Sequence, residues 1–317
     1  MTLARAFWAI APGQGEIRTE TLRPPSEGEV RVRSLASGVS RGTEALVFAG
    51  RVPPSQFAAM RAPLMGGDFP FPVKYGYCAV GRVPDGGRVF VLHPHQDFFN
   101  APAAMCVSVP DAVPDRRAVL AANMETAVNI VWDAAPLVGE RMMVIGAGVV
   151  GLLTASLLRR IPGAVVTVVD TLPGRAALAE RFALPGDAPG EQDLIVHTSA
   201  SEAGLRLALD RAAFEGRIVE ASWYGDRSPA LPLGEAFHAR RLRLIASQVG
   251  AVANPMRGRR TYAERLALAL DLLADPAYDA LLEGPTPFGA LPGAMPGILA
   301  PGGLCHVIDY GETACSA

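Results

Sequence analysis

Three glycines in the middle of the chain carry the clearest chemical signal in the sequence. Gly146, Gly148 and Gly151 fit the pattern G-x-G-x-x-G, placed after an apolar run and at the start of a helical pattern. The first glycine permits a tight turn, the second lets the backbone approach a pyrophosphate, and the third lets a helix lie close to a strand. With Val149 and Val150 they would present helix N-terminal amides to an anion. This segment predicts a dinucleotide site, with a plain tight turn as the alternative.

A carboxylate follows the glycines at the distance that such a site requires. Asp170 ends a second β-branched run and lies 19 residues after Gly151. A carboxylate about 20 residues beyond the glycines accepts hydrogen bonds from ribose hydroxyls. A 2′-phosphate at this place would meet like charge, so the sequence favours NAD. Arg175 is near enough in sequence to leave NADP open as the less favoured cofactor.

These residues need a parallel sheet to position them, and the pattern after residue 140 predicts one. The predicted strands are 141–146, 165–170, 193–198, 217–222 and 243–246, and the predicted helices are 148–160, 172–182 and 202–214. Alternation of strands and helices implies a parallel sheet covered by helices on both faces. The stretch between Phe182 and Asp193 is too short for a full third strand and helix, so we expect an abbreviated sheet there.

The first hundred residues instead predict short strands broken by proline and glycine. Those strands are 5–9, 29–37, 76–83, 88–92 and 105–109. A proline-rich insertion over 52–72 contains one predicted helix, 55–61, and is expected to form a lid or a pocket wall. Further helices are predicted over 116–134 and 262–273, and a last strand over 304–310.

This order of segments resembles the medium-chain dehydrogenase/reductases, the alcohol dehydrogenase superfamily, over essentially the whole chain. The motifs SRGTE at 40–44, PVKYGY at 72–77 and NMETA at 123–127 are most similar to the bacteriochlorophyllide dehydrogenase-like branch. The resemblance implies an α/β fold in which a Rossmann parallel sheet, residues 124–253, is inserted in a GroES-like β-rich catalytic domain made of 1–123 plus 254–317. It also implies that Arg41 contacts the cofactor pyrophosphate, Thr126 the nicotinamide and Ser199 the nicotinamide ribose.

The sequence departs from the superfamily where its zinc members hold their metal. The cysteine that follows an early glycine is replaced by Ser40, the Gly-His-Glu motif reads Gly76-Tyr77-Cys78, and the third ligand position falls at or beside Ala122. These positions do not supply the thiolate and imidazole set that zinc prefers. We therefore expect no metal.

Without zinc, side chains must hold the substrate oxygen and move its proton. Ser40 and Thr43 occupy the former metal position, where they would donate hydrogen bonds or, alternatively, cap a turn. Tyr77 replaces a ligand histidine and would direct its hydroxyl at the nicotinamide or pack in the core. His95 is the predicted general acid or base because histidine titrates closest to neutrality, although a solvated or structural loop histidine is the alternative. His197 has no evident companion and is expected to be structural.

Charge and composition narrow the partners and the compartment. The chain has 29 basic and 31 acidic residues, a net charge of -2 and a pI of about 6.2, which does not favour nucleic acid. Lys74, the only lysine, is expected to pair with Glu125. The four cysteines form no C-x-x-C pair, and no signal peptide or membrane span is recognised, which predicts a cytoplasmic protein.

The combined prediction is a zinc-independent, NAD-linked oxidoreductase that interconverts an alcohol and a carbonyl on a fairly large apolar small molecule. Its pocket would use the insertion 51–71 with Phe57, Met60, Met65, Phe69 and Phe71, together with Phe98, Phe99 and Trp223. An NADPH-dependent enone or quinone reductase and a nucleotide-binding sensor without activity are the alternatives. Strand 243–246 would leave an unpaired edge, which predicts a homodimer.

Overall fold

The computed structural model describes residues 2–186 and 190–311. The chain divides into two compact units. We call Met1–Ala122 with Leu266–Ala317 the β-rich unit, and Asn123–Arg265 the parallel-sheet unit. The second unit begins one residue before the expected boundary and ends twelve residues after the expected end at 253.

The strands alternate with short loops at both ends of the chain and with helices in its middle. In chain order they are β1 Thr2–Ala11, β2 Gln14–Leu22, β3 Glu29–Val39, β4 Gly66–Gly67, β5 Val73–Lys74, β6 Ala79–Arg82, β7 Arg88–Val91, β8 Phe98–Pro102, β9 Val107–Ser108, β10 Arg141–Ile145, β11 Val165–Val169, β12 Leu184–Pro185, β13 Gln192–His197, β14 Ala212–Glu220, β15 Arg243–Ala246, β16 Leu282–Pro287 and β17 Cys305–Asp309.

The helices are short and occur in both units. In chain order they are α1 Arg41–Phe48, α2 Asp115–Ala118, α3 Ala121–Ala134, α4 Val149–Leu158, α5 Gly174–Ala179, α6 Glu202–Arg211, α7 Tyr262–Leu272 and α8 Leu291–Ile298. Among the described residues, no helix is both long and apolar enough to cross a bilayer.

The β-rich unit contains two sheets in its described part. One has the order β2-β1-β5-β4, and the other has the order β16-β17-β3-β6-β7-β9 with β8 paired to β3. Strand β3 is central because it pairs with β6, β8 and β17, which brings residues near 37, 95 and 310 together. Its apolar core includes Val32, Val91 and Phe99.

The parallel-sheet unit has the strand order β12-β11-β10-β13-β14-β15, with every pairing parallel. Strand β12 has only two residues, so the predicted abbreviation is confirmed. The core includes Met143, Ile195 and Ile218 of the sheet, packed with Leu205 and Leu209 of α6. The fold prediction is confirmed as a Rossmann-type parallel sheet combined with a β-rich domain.

Several elements differ from the predictions. Predicted helix 55–61 is only a 3-10 turn, Pro54–Gln56, because so short a window gains little helical stability without packing. Strand β2 is half exposed and mostly polar, so it gave no apolar alternation. Helix α8 contains an internal proline, Pro296, and low-propensity glycines, and only its packing makes it helical.

Candidate cofactor and acid–base sites

The glycine loop lies at the carboxyl end of β10 and leads into α4. A Cβ on Gly151 would lie 1.9 Å from the carbonyl oxygen of Gly146, so the close approach of helix and strand excludes any side chain there. Gly148 is the N-cap of α4 and has open space around its Cα. Val149 and Val150 are half-buried in the first turn, whose amides have no acceptor within the helix. The loop therefore leaves the backbone open to an anion.

Asp170 is held next to the glycine loop by hydrogen bonds from two backbone amides. Its Oδ2 accepts a hydrogen bond from the Ala147 amide at 2.7 Å, and its Oδ1 accepts one from the Leu172 amide at 2.8 Å. Asp170 is exposed, so the remaining lone pairs of its carboxylate can accept hydrogen bonds from ribose hydroxyls. Arg175 lies in α5 with 7% of its surface exposed. A buried guanidinium would have to leave its place to meet a 2′-phosphate.

A second polar cluster occupies the carboxyl ends of β13 and β14. His197 is fully buried, its Nδ1 lies 2.7 Å from Glu220 Oε2, and its Nε2 lies 2.7 Å from Ser199 Oγ. The expectation that His197 has no companion is wrong, because the neighbouring parallel strand supplies Glu220. Ser199 is exposed and its Oγ also lies 2.9 Å from Ser201 Oγ.

The other two predicted cofactor contacts belong to different units. Arg41 is the first residue of α1 in the β-rich unit, and its Nη1 donates to the Ala300 carbonyl at 2.9 Å. Thr126 is half-buried in α3 of the parallel-sheet unit.

In the β-rich unit, His95 lies in the interior at 1% exposure, not in a solvated loop. Its Nε2 lies 2.9 Å from Glu44 Oε2 and its Nδ1 lies 2.7 Å from Ser37 Oγ. Ser37 Oγ in turn lies 2.9 Å from the Tyr310 hydroxyl. His95 is therefore enclosed by protein, and its hydrogen-bond partners Glu44 and Ser37 are buried as well.

Ser40 and Tyr77 form a hydrogen-bonded pair next to the network of Glu44, His95 and Ser37. The Ser40 amide donates to Glu44 Oε1 at 2.7 Å, while the Ser40 side chain hydrogen-bonds to Tyr77 and does not cap α1. Burial raises the pKa of the half-buried Tyr77 well above its ordinary value, and Tyr75 adds to the increase. Tyr77 therefore keeps its proton and can donate it in a hydrogen bond. Thr43 is half-buried in the first turn of α1.

His93 is a core residue. Its ring stacks on Phe99 with 3.6 Å between centroids and 9° between planes, and its Nδ1 lies 2.9 Å from the Pro94 carbonyl oxygen. Burial lowers the pKa of His93 to about 3, so the ring is neutral near pH 7.

The predicted pair of Lys74 with Glu125 does not form, and each residue has another partner. Lys74 donates to Glu20 Oε1 at 2.7 Å and to Gln96 Oε1 at 2.8 Å, not to Glu125. Glu125 pairs with Arg265, whose Nε lies 3.0 Å from Glu125 Oε1 with both side chains buried.

The aromatic residues expected in a substrate pocket are partly core residues. Phe69 is 7% exposed and Phe99 is 1% exposed. Phe69 packs on Phe57 and Tyr75, each at 5.7 Å between ring centroids. A cavity next to Glu44 and Tyr75 has a volume of about 10 Å³, room for about one water molecule.

Among the described residues, those at the positions expected to hold zinc are not close to a cluster of metal-ligating side chains. Within the ranges 2–186 and 190–311, no group of three or more histidine, cysteine, aspartate or glutamate side chains is placed to hold a metal. Ser40 and Tyr77, which the resemblance sets at two of the ligand positions, carry neither a thiolate nor an imidazole group. Cys315 lies outside the described residues.

Sequence reasoning missed Glu44, Ser37, Tyr310 and Glu220 as partners of the two histidines. Ser37 and His95 are 58 residues apart, and Ser37 and Tyr310 are 273 residues apart. Such pairs leave no local spacing signal. Glu220 could have been found, because the carboxyl ends of adjacent parallel strands meet at one edge of the sheet.

Comparison with known proteins identifies dehydrogenases among the relatives. An uncharacterized zinc-type alcohol dehydrogenase-like protein of Haemophilus influenzae is 25% identical over 173 residues, 48% of this chain and 50% of that protein. The L-galactonate-5-dehydrogenase of Escherichia coli K12 is 30% identical over 133 residues, 40% of this chain and 38% of the enzyme. The chain thus matches half or less of the length of these relatives. No family model matches.

Solved structures share the whole fold at low identity. L-idonate 5-dehydrogenase of E. coli K-12 superposes with a TM-score of 0.79 and 13% identity, covering 98% of this chain and 99% of that one. A putative zinc-binding dehydrogenase of Sinorhizobium meliloti, bound to NADP, gives 0.78 and 16%, covering 98% and 100%. A protein of E. coli CFT073 described as a short chain alcohol dehydrogenase, complexed with NADH, gives 0.77 and 16%, with the same coverage. The chain therefore has the fold of medium-chain alcohol dehydrogenases.

Proposed function

We propose that this protein is an NAD(P)-linked oxidoreductase that interconverts an alcohol and a carbonyl, prefers NAD and needs no zinc. The observation that carries the proposal is the glycine loop with Asp170 held against it. The Gly146–Gly151 approach admits no side chain, and the Ala147 amide fixes the Asp170 carboxylate at 2.7 Å. A loop of this form at a helix N-terminus suits a pyrophosphate, and the carboxylate suits ribose hydroxyls.

The relatives support the same class of reaction. Their names describe alcohol and sugar-acid dehydrogenases, and two of the similar structures were solved with NADH or NADP. The motif resemblance to the bacteriochlorophyllide dehydrogenase-like branch supports a large apolar substrate.

Different residues of the chain bind the nucleotide and hold the proton in the proposed reaction. A nicotinamide nucleotide, when bound, supplies the hydride donor or acceptor. The first-turn amides of α4 and the Asp170 carboxylate bind the nucleotide. Tyr77 keeps its proton and donates a hydrogen bond to a polarised oxygen, and Ser40 orients the Tyr77 hydroxyl. His95 holds Glu44 in place as a positioning residue.

Zinc independence belongs to the proposal and has a chemical basis. Ser40 and Tyr77 stand where zinc members carry soft or imidazole ligands, and neither residue is a good zinc ligand.

A titration of the chelator-treated protein with NADH and with NADPH tests the cofactor site. Energy transfer from Trp132 and Trp223, both in the parallel-sheet unit, reports binding. We expect NADH to bind more tightly. In Asp170→Asn the NADH dissociation constant should rise about tenfold or more, because hydrogen bonds to a charged group contribute about 1.5–3 kcal/mol.

Asp210→Asn is the matched control, since it removes an exposed carboxylate in the same unit and should leave NADH binding unchanged. Preference for NADPH would overturn the NAD assignment and favour an enone or quinone reductase. Binding of neither nucleotide would reject the proposed function. Tight NADH binding without turnover of any alcohol or carbonyl in a metal-free screen would reject the enzymatic part and favour a sensor.

A homodimer is part of the proposal. Strand β15 is the last in its sheet, and Arg243, Leu244 and Ala246 are exposed. An unpaired strand edge with exposed side chains is a template for pairing with a second copy. Light scattering should give twice the chain mass, and a monomeric mass would contradict this association.

A further inference from the structure

The polar cluster at the ends of β13 and β14 has the connectivity of an activated serine. Ser199 Oγ lies 2.7 Å from His197 Nε2, and His197 Nδ1 lies 2.7 Å from Glu220 Oε2. A nucleophile within hydrogen-bond reach of a base, with the base oriented by a third group, is the arrangement that activates a serine hydroxyl. The nucleotide chemistry proposed above does not require it.

The hydrogen-bond partners determine the direction of each proton. Glu220 accepts from the Ser222 amide at 2.7 Å and from the Tyr224 hydroxyl at 3.2 Å, which suits a carboxylate. We assign the Nδ1 proton of His197 to the hydrogen bond with Glu220, which leaves Nε2 to accept the Ser199 proton. The imidazole thus presents its free lone pair to the serine.

The surrounding backbone is built to hold the serine in this position. Ser199 follows the end of β13 and precedes α6, and the next residue, Ala200, has a left-handed φ of 50°. The Ala200 amide donates to Ser222 Oγ at 3.0 Å. A Cβ on Gly204 would lie 2.6 Å from Ser199 Oγ and 2.7 Å from His197 Nε2, so glycine there makes room for the pair.

The three side chains of the cluster are exposed to different degrees, and the proposed nucleophile is the most exposed. His197 has no exposed surface, Glu220 has a side chain that is 15% exposed, and Ser199 is exposed. The base and its orienting group are therefore protected from water, whereas the nucleophile can meet a molecule from solution. The carboxyl edge of a parallel sheet is also the edge at which ligands bind.

We propose that Ser199, with His197 as its base and Glu220 as a positioning residue, accepts an acyl or phosphonyl group from an electrophilic ester. In the acyl case the Ser199 Oγ–carbon bond forms and the ester carbon–oxygen bond breaks. The Ser199 proton passes to His197 Nε2 and then to the departing alkoxide, so the products are an acyl-serine and an alcohol. With a fluorophosphonate, the oxygen–phosphorus bond forms, the phosphorus–fluorine bond breaks, and hydrogen fluoride leaves.

A fluorophosphonate is the probe that tests this activity, because its adduct is stable. The full chain is treated with the probe, the intact mass gives the rate of adduct formation, and peptide mapping identifies the modified residue. We expect one adduct per chain, on Ser199, and none in Ser199→Ala. In His197→Gln the rate should fall at least about 100-fold, since a general base contributes about 10²–10⁴.

Two further variants separate the base effect from a folding defect. Glu220→Gln retains the shape of the side chain but no longer requires Nδ1 to donate, so labelling should slow. Gly204→Ala places a methyl group against Ser199 Oγ and should also slow it. Ser228→Ala, which removes another exposed serine of this unit, should label at the wild-type rate. Far-ultraviolet circular dichroism and the thermal midpoint confirm folding in each case.

Labelling at another residue, or an unchanged rate in folded His197→Gln or Glu220→Gln, would overturn the proposal. NADH titration of the same preparation separates the two hypotheses. Normal NADH binding without any adduct rejects the activated serine alone, whereas labelling without NADH binding rejects the cofactor assignment alone.

Discussion

Each unit of the molecule connects a glutamate, a histidine and a serine, but the two chains of hydrogen bonds differ in burial. In the β-rich unit His95 joins Glu44 to Ser37, and all three are at most 3% exposed. In the parallel-sheet unit His197 joins a glutamate of the neighbouring strand to Ser199, which is exposed. The same three residue types therefore form a fully buried network in the β-rich unit, which we call the sealed network. In the parallel-sheet unit they form a partly exposed network, which we call the open network.

The difference in burial follows from where each network lies in its sheet, and burial determines whether the network can bind a ligand. The sealed network involves the middle strand β3 and the last strand β17, which surround it with protein. The open network lies where parallel strands end, and loops there leave one member in solvent. A sealed network stabilises the fold, because every polar group depends on its partner, whereas an open network can exchange a partner for a ligand.

The largest expected effect is the loss of stability when the sealed network is broken. His95→Ala removes the hydrogen-bond partner of Glu44 Oε2 and one partner of Ser37 Oγ, and leaving a buried polar group unsatisfied costs about 1–3 kcal/mol, more when the group is charged. Urea unfolding followed by circular dichroism measures this free energy. Ser199→Ala, an exposed change in the open network, should alter the free energy of unfolding by less than about 0.5 kcal/mol. Equal effects of the two variants would remove the distinction.

The second effect concerns pH and the buried, neutral His93 beside the sealed network. Its folded pKa of about 3 lies below the ordinary value of 6.5, so the unfolded chain binds a proton that the folded chain does not. Stability should therefore fall as pH decreases below 6.5, by about 2 kcal/mol between pH 7 and pH 5 from this residue. The measurement is the free energy of unfolding against pH, compared with His93→Phe.

The free energy of unfolding of His93→Phe should change less between pH 7 and pH 5 than that of the wild type, whatever the stability of the variant at pH 7. Parallel curves for the wild type and His93→Phe would show that His93 takes up its proton in the folded state.

The smallest expected effect is the loss of stability when a tyrosine hydroxyl at the end of each network is removed. These tyrosines are Tyr310 in the sealed network and Tyr224 in the open network. Tyr310→Phe removes the hydroxyl that lies 2.9 Å from Ser37 Oγ in the interior, at a cost of about 1 kcal/mol. Tyr224→Phe removes a hydroxyl 3.2 Å from Glu220 Oε2 in a half-buried place, where water can replace it, so the cost should be under about 0.5 kcal/mol. Thermal unfolding of the two variants measures the difference, and a larger loss for Tyr224→Phe would reverse our assignment of sealed and open.

Much of the parallel-sheet unit was predictable because its signals are local. Strand β15 has the predicted bounds, 243–246, β10 and β11 end one residue early, and β13 is shifted by one residue at both ends. The glycine spacing and Asp170 also act within one β-α-β segment, so their placement follows from the chain itself.

The β-rich unit was less predictable because its partners are distant in sequence. Helix α1 was missed, although it carries Glu44, and β2 and β8 were missed because they pair at the surface or alternate poorly. The position of His95 depends on β3 and on the strand that ends near Tyr310. No pattern within a short window contains that information.

The sequence by itself determined the form of the proposed dinucleotide site, because a tight turn, a close helix and a carboxylate at a set spacing are properties of one continuous segment. Only the tertiary structure decided which histidine is sealed and which one supports an exposed serine. Burial and hydrogen bonding of a side chain depend on all the segments around it, and for His95 and Ser37 those segments include residues as far apart as 37 and 310.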